Sequence, residues 1–344
     1  MTRPVHIYHK SWSWLANIFF VSLLLGAGAC KKDKVVDDLL EEEEVITLDI
    51  PKKFPYPGFP ADNQPTQARI ALGKRLFFDP GLSSDSSISC ESCHQPDKFF
   101  TDNLKVSTGI SGRTGFRNAP SLINVAYQHS LFWDGGNPTL EQQVLAPIAN
   151  HEEMDFDVNR VVERLNKNAE YVTMFQKAYK QSPSVYSLTR AIACYERTLI
   201  GGRSRYDRFS ITNDSTILTA SEKNGMLLFF SEKGDCFHCH QGFNFTDNSF
   251  RNNGLYLTYA DSGRARITQR SADIGKFKVP SLRNIDKTAP YMHDGSLQTL
   301  DAVLDHYIAG GKNHPVKSVI IQPLHLTPEE KADLINFLKT LTDQ

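Results

Sequence analysis

Cys90-Glu91-Ser92-Cys93-His94 and Cys236-Phe237-His238-Cys239-His240 are two copies of one pentapeptide, C-x-x-C-H, and they use four of the chain's six cysteines. The spacing has a chemical reason. Two thiols three positions apart can add across the two vinyl groups of one porphyrin, and the imidazole that follows then lies under the iron as its proximal ligand. A four-thiolate zinc site and a thioredoxin-like redox pair compete with this reading. Zinc sites commonly use paired C-x-x-C knuckles much closer together in sequence, and a redox pair does not require the histidine that both copies carry. Two covalently bound haem c groups are therefore expected, at Cys90, Cys93 and His94 and at Cys236, Cys239 and His240.

The chain has 344 residues, 40% of them apolar, with 38 basic and 39 acidic side chains, which is enough for two domains with buried cores. Its net charge of −1 gives no footing for nucleic acid. At the start, Arg3, His6, His9 and Lys10 precede an apolar stretch from Trp12 to Leu25, and Gly26-Ala27-Gly28-Ala29 then precede Cys30. Residues 1–29 read as a bacterial lipoprotein signal peptide, with cleavage before Cys30 and lipid on its thiol. An uncleaved anchor helix is the alternative, but about 15 apolar residues are short for a bilayer. The folded part is then expected in the cell envelope, facing the periplasm and anchored to the membrane at Cys30. The acidic stretch 30–54, with Asp37, Asp38 and Glu41 to Glu44, reads as a solvated tether. Cys194 falls where Leu188, Ile192, Tyr195 and Leu199 recur at helical spacing, so it reads as a packed core cysteine.

Each haem motif stands in a similar series of segments. Leu76-Phe77-Phe78 precedes the first and Leu228-Phe229-Phe230 the second. Pro120-Ser121-Leu122 with Asn124 matches Pro280-Ser281-Leu282 with Asn284; Asp134-Gly135 and Thr139-Leu140 match Asp294-Gly295 and Thr299-Leu300. An internal duplication explains the pattern. The coarse structure is mainly α. Thr327-Pro328-Glu329-Glu330 is a capping box ahead of an apolar stripe of Leu334, Phe337, Leu338 and Leu341, and Asp157–Tyr179 and Ser187–Leu199 read as two further helices. Ser107–Pro120 and Asn244–Pro280 read as long loops over haem faces. The expected fold is two cytochrome c-like haem domains in tandem with long connecting loops, at 55–205 and 206–344.

The order of the two haem motifs with Arg117-Asn118-Ala119-Pro120, Phe132-Trp133-Asp134-Gly135, Glu153-Met154 and Ala289-Pro290-Tyr291-Met292-His293-Asp294-Gly295 resembles the bacterial di-haem cytochrome c peroxidase and MauG family, over roughly Pro55 to Thr342. The resemblance implies that the first haem is peroxidatic and the second transfers electrons. It implies further that Glu153 moves the proton between the peroxide oxygens, with Gln143 helping to position the substrate, and that Trp133 bridges the two haems. O–O heterolysis needs a base for one oxygen and an acid for the other, and one carboxyl can serve both in turn.

Where classical members place a histidine that caps the resting first iron, this chain has Ile110, which cannot ligate. The first haem is thus expected to be open, as in MauG-like members; His151 is a second candidate ligand there. The resemblance implies Tyr307, fourteen residues after His293, as the distal ligand of the second haem, with neighbouring His306, Met292 or an open site as alternatives. A calcium ion between the domains is implied at Asn118, Thr288 and Pro290, all oxygen donors.

The function implied is reduction of hydrogen peroxide to water with electrons from a small donor protein such as a cytochrome c or cupredoxin. The alternative is a MauG-like oxidase that uses peroxide to oxidise residues of a partner protein. A pure electron carrier is a third reading, disfavoured because a carrier has no use for Glu153 and Gln143. A homodimer is also open.

Overall fold

The structure, a computed structural model, describes residues 44–344. The signal peptide 1–29, Cys30 and the tether up to residue 43 lie outside the described residues. Of the tether's end, Val45 bridges Thr66, the Ile46 amide donates to the Pro65 carbonyl, and the Phe54 ring meets Phe243 at 4.7 Å. Among the described residues no helix is long and apolar enough to cross a membrane.

Helices dominate, and part of their order repeats. In the first half α1 (Gln67–Phe77) leads into the one-turn α2 (Cys90–Cys93) of the first motif. After α3 (Leu140–Gln143) and α4 (Leu145–Ala149) come α5 (Val158–Asn166), α6 (Ala169–Tyr179) and α7 (Val185–Glu196). The second half has α8 (Arg205–Thr212), α9 (Ala220–Phe229), α10 (Ala265–Thr268), α11 (Leu300–Ile308) and α12 (Pro328–Lys339). Its only sheet among the described residues is the two-residue pairing of β1 (Phe250–Arg251) with β2 (Phe277–Lys278). The capping box at Thr327 forms as expected, its hydroxyl accepting from the Glu330 amide.

The expected helix from Asp157 to Tyr179 is two helices. Asn168 interrupts it, because its side chain accepts from the amides of Glu170 and Tyr171 and so caps a new helix rather than extending the old one. The next helix begins earlier than its apolar spacing suggested, where Ser184 and Ser187 close a capping box.

The helix before each motif crosses a later helix at a glycine. A Cβ on Gly73 of α1 would lie 1.9 Å from the Ala191 carbonyl oxygen of α7, and one on Gly225 of α9 would lie 1.9 Å from the Asp333 oxygen of α12. Only hydrogen fits at either crossing. The crossings bring Phe77 onto Tyr195 at 5.3 Å and Phe229 onto Phe337 at 5.2 Å, edge to face or tilted. One apolar core gathers Leu72, Leu76, Phe77, Phe175, Leu188 and Ile192; a second gathers Phe229, Phe245, Leu304, Leu334 and Phe337. Burial of an apolar side chain contributes roughly 1.5–3 kcal/mol, so each core anchors its own motif. Cys194 is fully buried, as its spacing suggested.

Candidate haem sites and the seam between them

In the first motif Cys90 and Cys93 share one helical turn, and the His94 amide closes it on the Cys90 carbonyl at 3.0 Å. The second motif makes the same bond, from His240 to Cys236 at 2.9 Å. Each turn therefore presents two thiols and an imidazole together. Past each histidine the chain bends through left-handed residues, Phe99 and Phe100 in one case and Phe245 in the other. That bend aims a carbonyl back: Phe100 O lies 3.0 Å from His94 Nδ1, and Phe245 O lies 3.0 Å from His240 Nδ1. A ring whose Nδ1 is engaged in this way is oriented, and leaves Nε2 for a metal. Burial lowers the pKa of both imidazoles, which favours the neutral form a metal requires.

The repeated Pro-Ser-Leu segment now has a role. The Ser121 hydroxyl donates to the Phe99 carbonyl at 2.6 Å and Ser281 donates to Asn244 at 2.7 Å, so each serine pins the loop that follows a motif. Asn124 and Asn284 take φ of 62° and 61°, left-handed values that asparagine accepts more readily than most residues.

The donor sets fit two c-type haems. Burial pushes the Cys93 thiol up to about 11 and Cys236 up to about 12, with Cys90 raised further. Among the described residues the only histidine, cysteine and acidic groups near enough to share a metal ion are Glu232, Asp235 and His238; the four motif cysteines do not converge on one site. The zinc reading has no geometry to support it.

Glu153 lies close enough to the first motif for its charge to disfavour both thiolates there. Its carboxyl accepts from Asn150 Nδ2 at 2.7 Å, and burial, opposed by that bond and aided by the Glu152 charge, raises its pKa. The loop of Ile110 sits directly on it: the Ile110 amide donates to the Glu153 carbonyl at 2.9 Å, and the Ile110 side chain is buried. A Cβ on Gly109 would lie 2.1 Å from the Glu152 oxygen, so glycine is what lets this loop approach. Gln143, at the end of α3, accepts from Asn137 in the loop after Trp133 and makes no hydrogen bond to Glu153. His151 points outward; its ring is 70% exposed and pairs with Asp155 and Arg113.

At the second motif Tyr307 lies on α11, near enough for Cys239 and Cys236 to affect its phenol, whose pKa rises chiefly through burial. One amide, Asn253 Nδ2, lies 3.4 Å from both the Tyr307 hydroxyl and the Met292 sulfur. His306 turns away to the Asn253 carbonyl, 3.1 Å from its Nε2.

Between the motifs the halves exchange backbone hydrogen bonds. Asn118 N donates to His293 O at 2.8 Å, and Lys278 N donates to Trp133 O at 2.8 Å. The Trp133 indole nitrogen donates to the Asn118 carbonyl at 2.9 Å. Asn118 Nδ2 donates to Leu104 O, while Asn103 holds the carbonyls of Lys287 and Ala289 beside Thr288 and Pro290. Next to Trp133, the fully buried Asp134 carboxylate receives Arg117 at 2.8 Å and Arg266 at 2.7 Å, and Arg117 also grips Asp261 at 2.6 Å. Buried charge is tolerated here because it is paired.

Two groups carried no sequence signal. Glu196 is 7% exposed, its Oε2 has no hydrogen-bond partner, and burial pushes it up to about 8 close to Cys90. Asn253, the amide between Tyr307 and Met292, stands in a loop whose sequence is unremarked by any motif.

Comparison with known proteins agrees with this arrangement. A family model described as di-haem cytochrome c peroxidase matches residues 67–216. The methylamine utilization protein MauG of Methylorubrum extorquens is 38% identical over 295 residues, covering 85% of this chain and 82% of that one. The cytochrome c551 peroxidase of Nitrosomonas europaea is 33% identical over 315 residues, covering 87% and 90%. A crystal structure of a MauG-like protein associated with microbial copper homeostasis superposes with a TM-score of 0.83 at 37% identity, covering 87% of this chain and 96% of that one.

Proposed function

The chain belongs to the di-haem cytochrome c peroxidase family, which includes MauG, and we propose that it reduces hydrogen peroxide at the His94 site with electrons entering at the His240 site. It is a di-haem oxidoreductase acting on peroxide, with a redox partner as its electron source. The carrying observation is Glu153, a half-buried carboxyl with a raised pKa beside the first motif.

When bound, the first haem supplies an iron that takes up peroxide and accepts its oxidising equivalents. Glu153 does the proton work: its free carboxylate oxygen accepts the proton from one peroxide oxygen and delivers it to the other, which leaves as water. Asn150 holds the other carboxylate oxygen and so fixes the direction of delivery. Ile110 fills the place beside Glu153 with an apolar side chain and offers no ligand. Gln143 orients the substrate, and Trp133, tied to Asn118, carries electrons between the sites. Tyr307, buried beside Cys236 and Cys239, would offer its phenol oxygen to the iron of the second haem.

Peroxide consumption with a reduced cytochrome c as donor tests this reading. Steady turnover by fully oxidised protein, with no prior reduction, is expected because Ile110 cannot cap the iron. No peroxide-dependent oxidation of the donor, before or after half-reduction, would refute it.

Tyr307 and Ile110 together favour a second use of the same site, MauG-like oxidation of a residue on a partner protein. A phenolate ligand stabilises oxidised iron, and an uncapped first site needs no activation. The further parts of the reading are a calcium ion at Asn118, Thr288 and Pro290, a donor of the cytochrome c or cupredoxin kind, domains at 55–205 and 206–344, and a lipid anchor at Cys30 on the periplasmic side. A homodimer is compatible with them.

A further inference from the structure

Oxidising equivalents that no donor removes must rest somewhere in the chain, and one phenol is placed for it. Tyr256 and Tyr259 meet edge to face at 5.7 Å, and each lies 6.4 Å from the ring of His293. His293 stacks on Phe277 at 3.7 Å and 14°. Its carbonyl accepts from Asn118, whose own carbonyl accepts from the Trp133 indole. On the other side Tyr259 is near enough to Tyr307 to disfavour its ionisation, while Asn252 and Asn253 bond to the two phenols in turn. The tyrosine pair thus lies between the Trp133 connection and the second site.

Phenol oxidation by one electron also requires loss of the hydroxyl proton, so it is feasible where a base is already in contact. Tyr256 donates to Asp294 Oδ2 at 2.6 Å. The other carboxylate oxygen, Asp294 Oδ1, accepts from the Ser296 amide at 3.2 Å, which holds the carboxyl in place beside the phenol. Tyr259 instead donates to the neutral amide oxygen of Asn252, and the Tyr307 oxygen faces an amide donor. Lys312 Nζ stands 5.6 Å over the Tyr256 ring, which disfavours a cationic radical and couples the electron's departure to the proton's. Tyr256 is partly exposed, beside the exposed Leu257.

We propose that Tyr256 and Asp294 form a proton-coupled redox pair through which peroxide-derived oxidising equivalents reach the protein surface and a one-electron donor there. The proposal rests on the peroxidase reading above. Tyr256 gives up one electron to the peroxide-oxidised centre, its hydroxyl proton moves to Asp294 Oδ2, and a neutral phenoxyl radical remains. An external donor then returns one electron, and Asp294 returns the proton. Each peroxide carries two such equivalents.

The test is electron paramagnetic resonance on the full haem-loaded protein, frozen after peroxide addition without donor, with and without ring-deuterated tyrosine. Haem absorbance is followed in parallel. The parent should give a radical signal that narrows on deuteration. Tyr256→Phe should lose it while the haem absorbance still responds to peroxide, and Asp294→Asn should lose it too. Tyr171→Phe is the control, because Tyr171 also donates to an aspartate, Asp79, yet it packs in the first core, apart from the Tyr256, Tyr259 and His293 rings; it should leave the signal unchanged. A haem response with no tyrosyl signal in the parent, or a signal that survives Tyr256→Phe, or one lost in Tyr171→Phe, overturns the proposal and leaves the peroxidase reading standing. No haem response in the parent overturns both.

Discussion

Replacing Glu196 by glutamine should change how stability depends on pH. In the folded chain this carboxyl is pushed from 4.5 up to about 8, first by burial and then by the Glu141 charge, with Arg197 opposing. The folded state therefore holds the proton more tightly than the unfolded state. That contribution is fully present below pH 4.5 and is lost as pH rises through about 8. At pH 7 the loss is about 1.4 kcal/mol for each unit above the unfolded value, about 3 kcal/mol in all. Glutamine keeps the shape and removes the titration, but its buried amide N–H adds an unpaired donor worth roughly 1–3 kcal/mol. The two terms are similar at pH 7, so a single melting temperature decides nothing. The slope does. Urea unfolding of parent and Glu196→Gln between pH 5 and pH 7.5 should show the variant gaining on the parent by about 1.4 kcal/mol per pH unit. A difference that stays constant across that range would mean Glu196 is ionised in the folded protein, and its burial argument would fail.

Glu153→Gln should still bind peroxide yet lose roughly a hundredfold or more in turnover, with haem absorbance nearly unchanged. Because burial raises the Glu153 pKa, the acid limb of kcat/KM in the parent should fall above the 4.5 of an ordinary glutamate, and parent-like turnover in the variant would remove Glu153 from the mechanism. Tyr307→Phe should shift the spectrum and potential of the second haem and His306→Ala should leave them alone, since His306 is turned to the Asn253 carbonyl; the reverse result would make His306 the ligand. Gly73→Ala and Gly225→Ala each drive a methyl to 1.9 Å from a carbonyl oxygen and should each destabilise by about 1–3 kcal/mol or more, seen as a lower urea midpoint. An unchanged midpoint in either would deny the close helix crossing there.

What the sequence made legible was whatever chemistry ties to fixed spacing. The thioether-forming cysteines and the following histidine cannot drift apart and still hold one porphyrin, so both motifs are readable at once. The repeat was readable for a similar reason: Ser121 and Ser281 must stand at one distance from the proline to reach their loops, although only the structure reveals what their hydroxyls hold. Asn168 was misjudged because the apolar spacing runs on through it, and capping by a side chain competes with helix continuation without disturbing that spacing. Glu196 and the Tyr256–Asp294 contact were invisible because burial and pairing across 38 residues are properties of the folded chain. Tyr307 was placed by resemblance alone; its neighbourhood with Met292 and Asn253 comes from packing that no local pattern encodes.

The exchanged hydrogen bonds at the seam, Asn118 to His293 and Lys278 to Trp133, join positions that correspond in the two repeats. Position i of one repeat meets position j of the other, and j meets i, which is the contact rule of a two-fold symmetric dimer. In a true homodimer, however, both subunits must carry the same side chains, so the two centres stay alike. Joining the copies in one chain keeps the symmetric backbone contact and frees each copy to change separately. Asn118 can then meet His293 while, at the corresponding pair, Lys278 meets Trp133, across a joint whose main-chain atoms ignore the difference. One interface geometry thus joins two halves whose side chains differ.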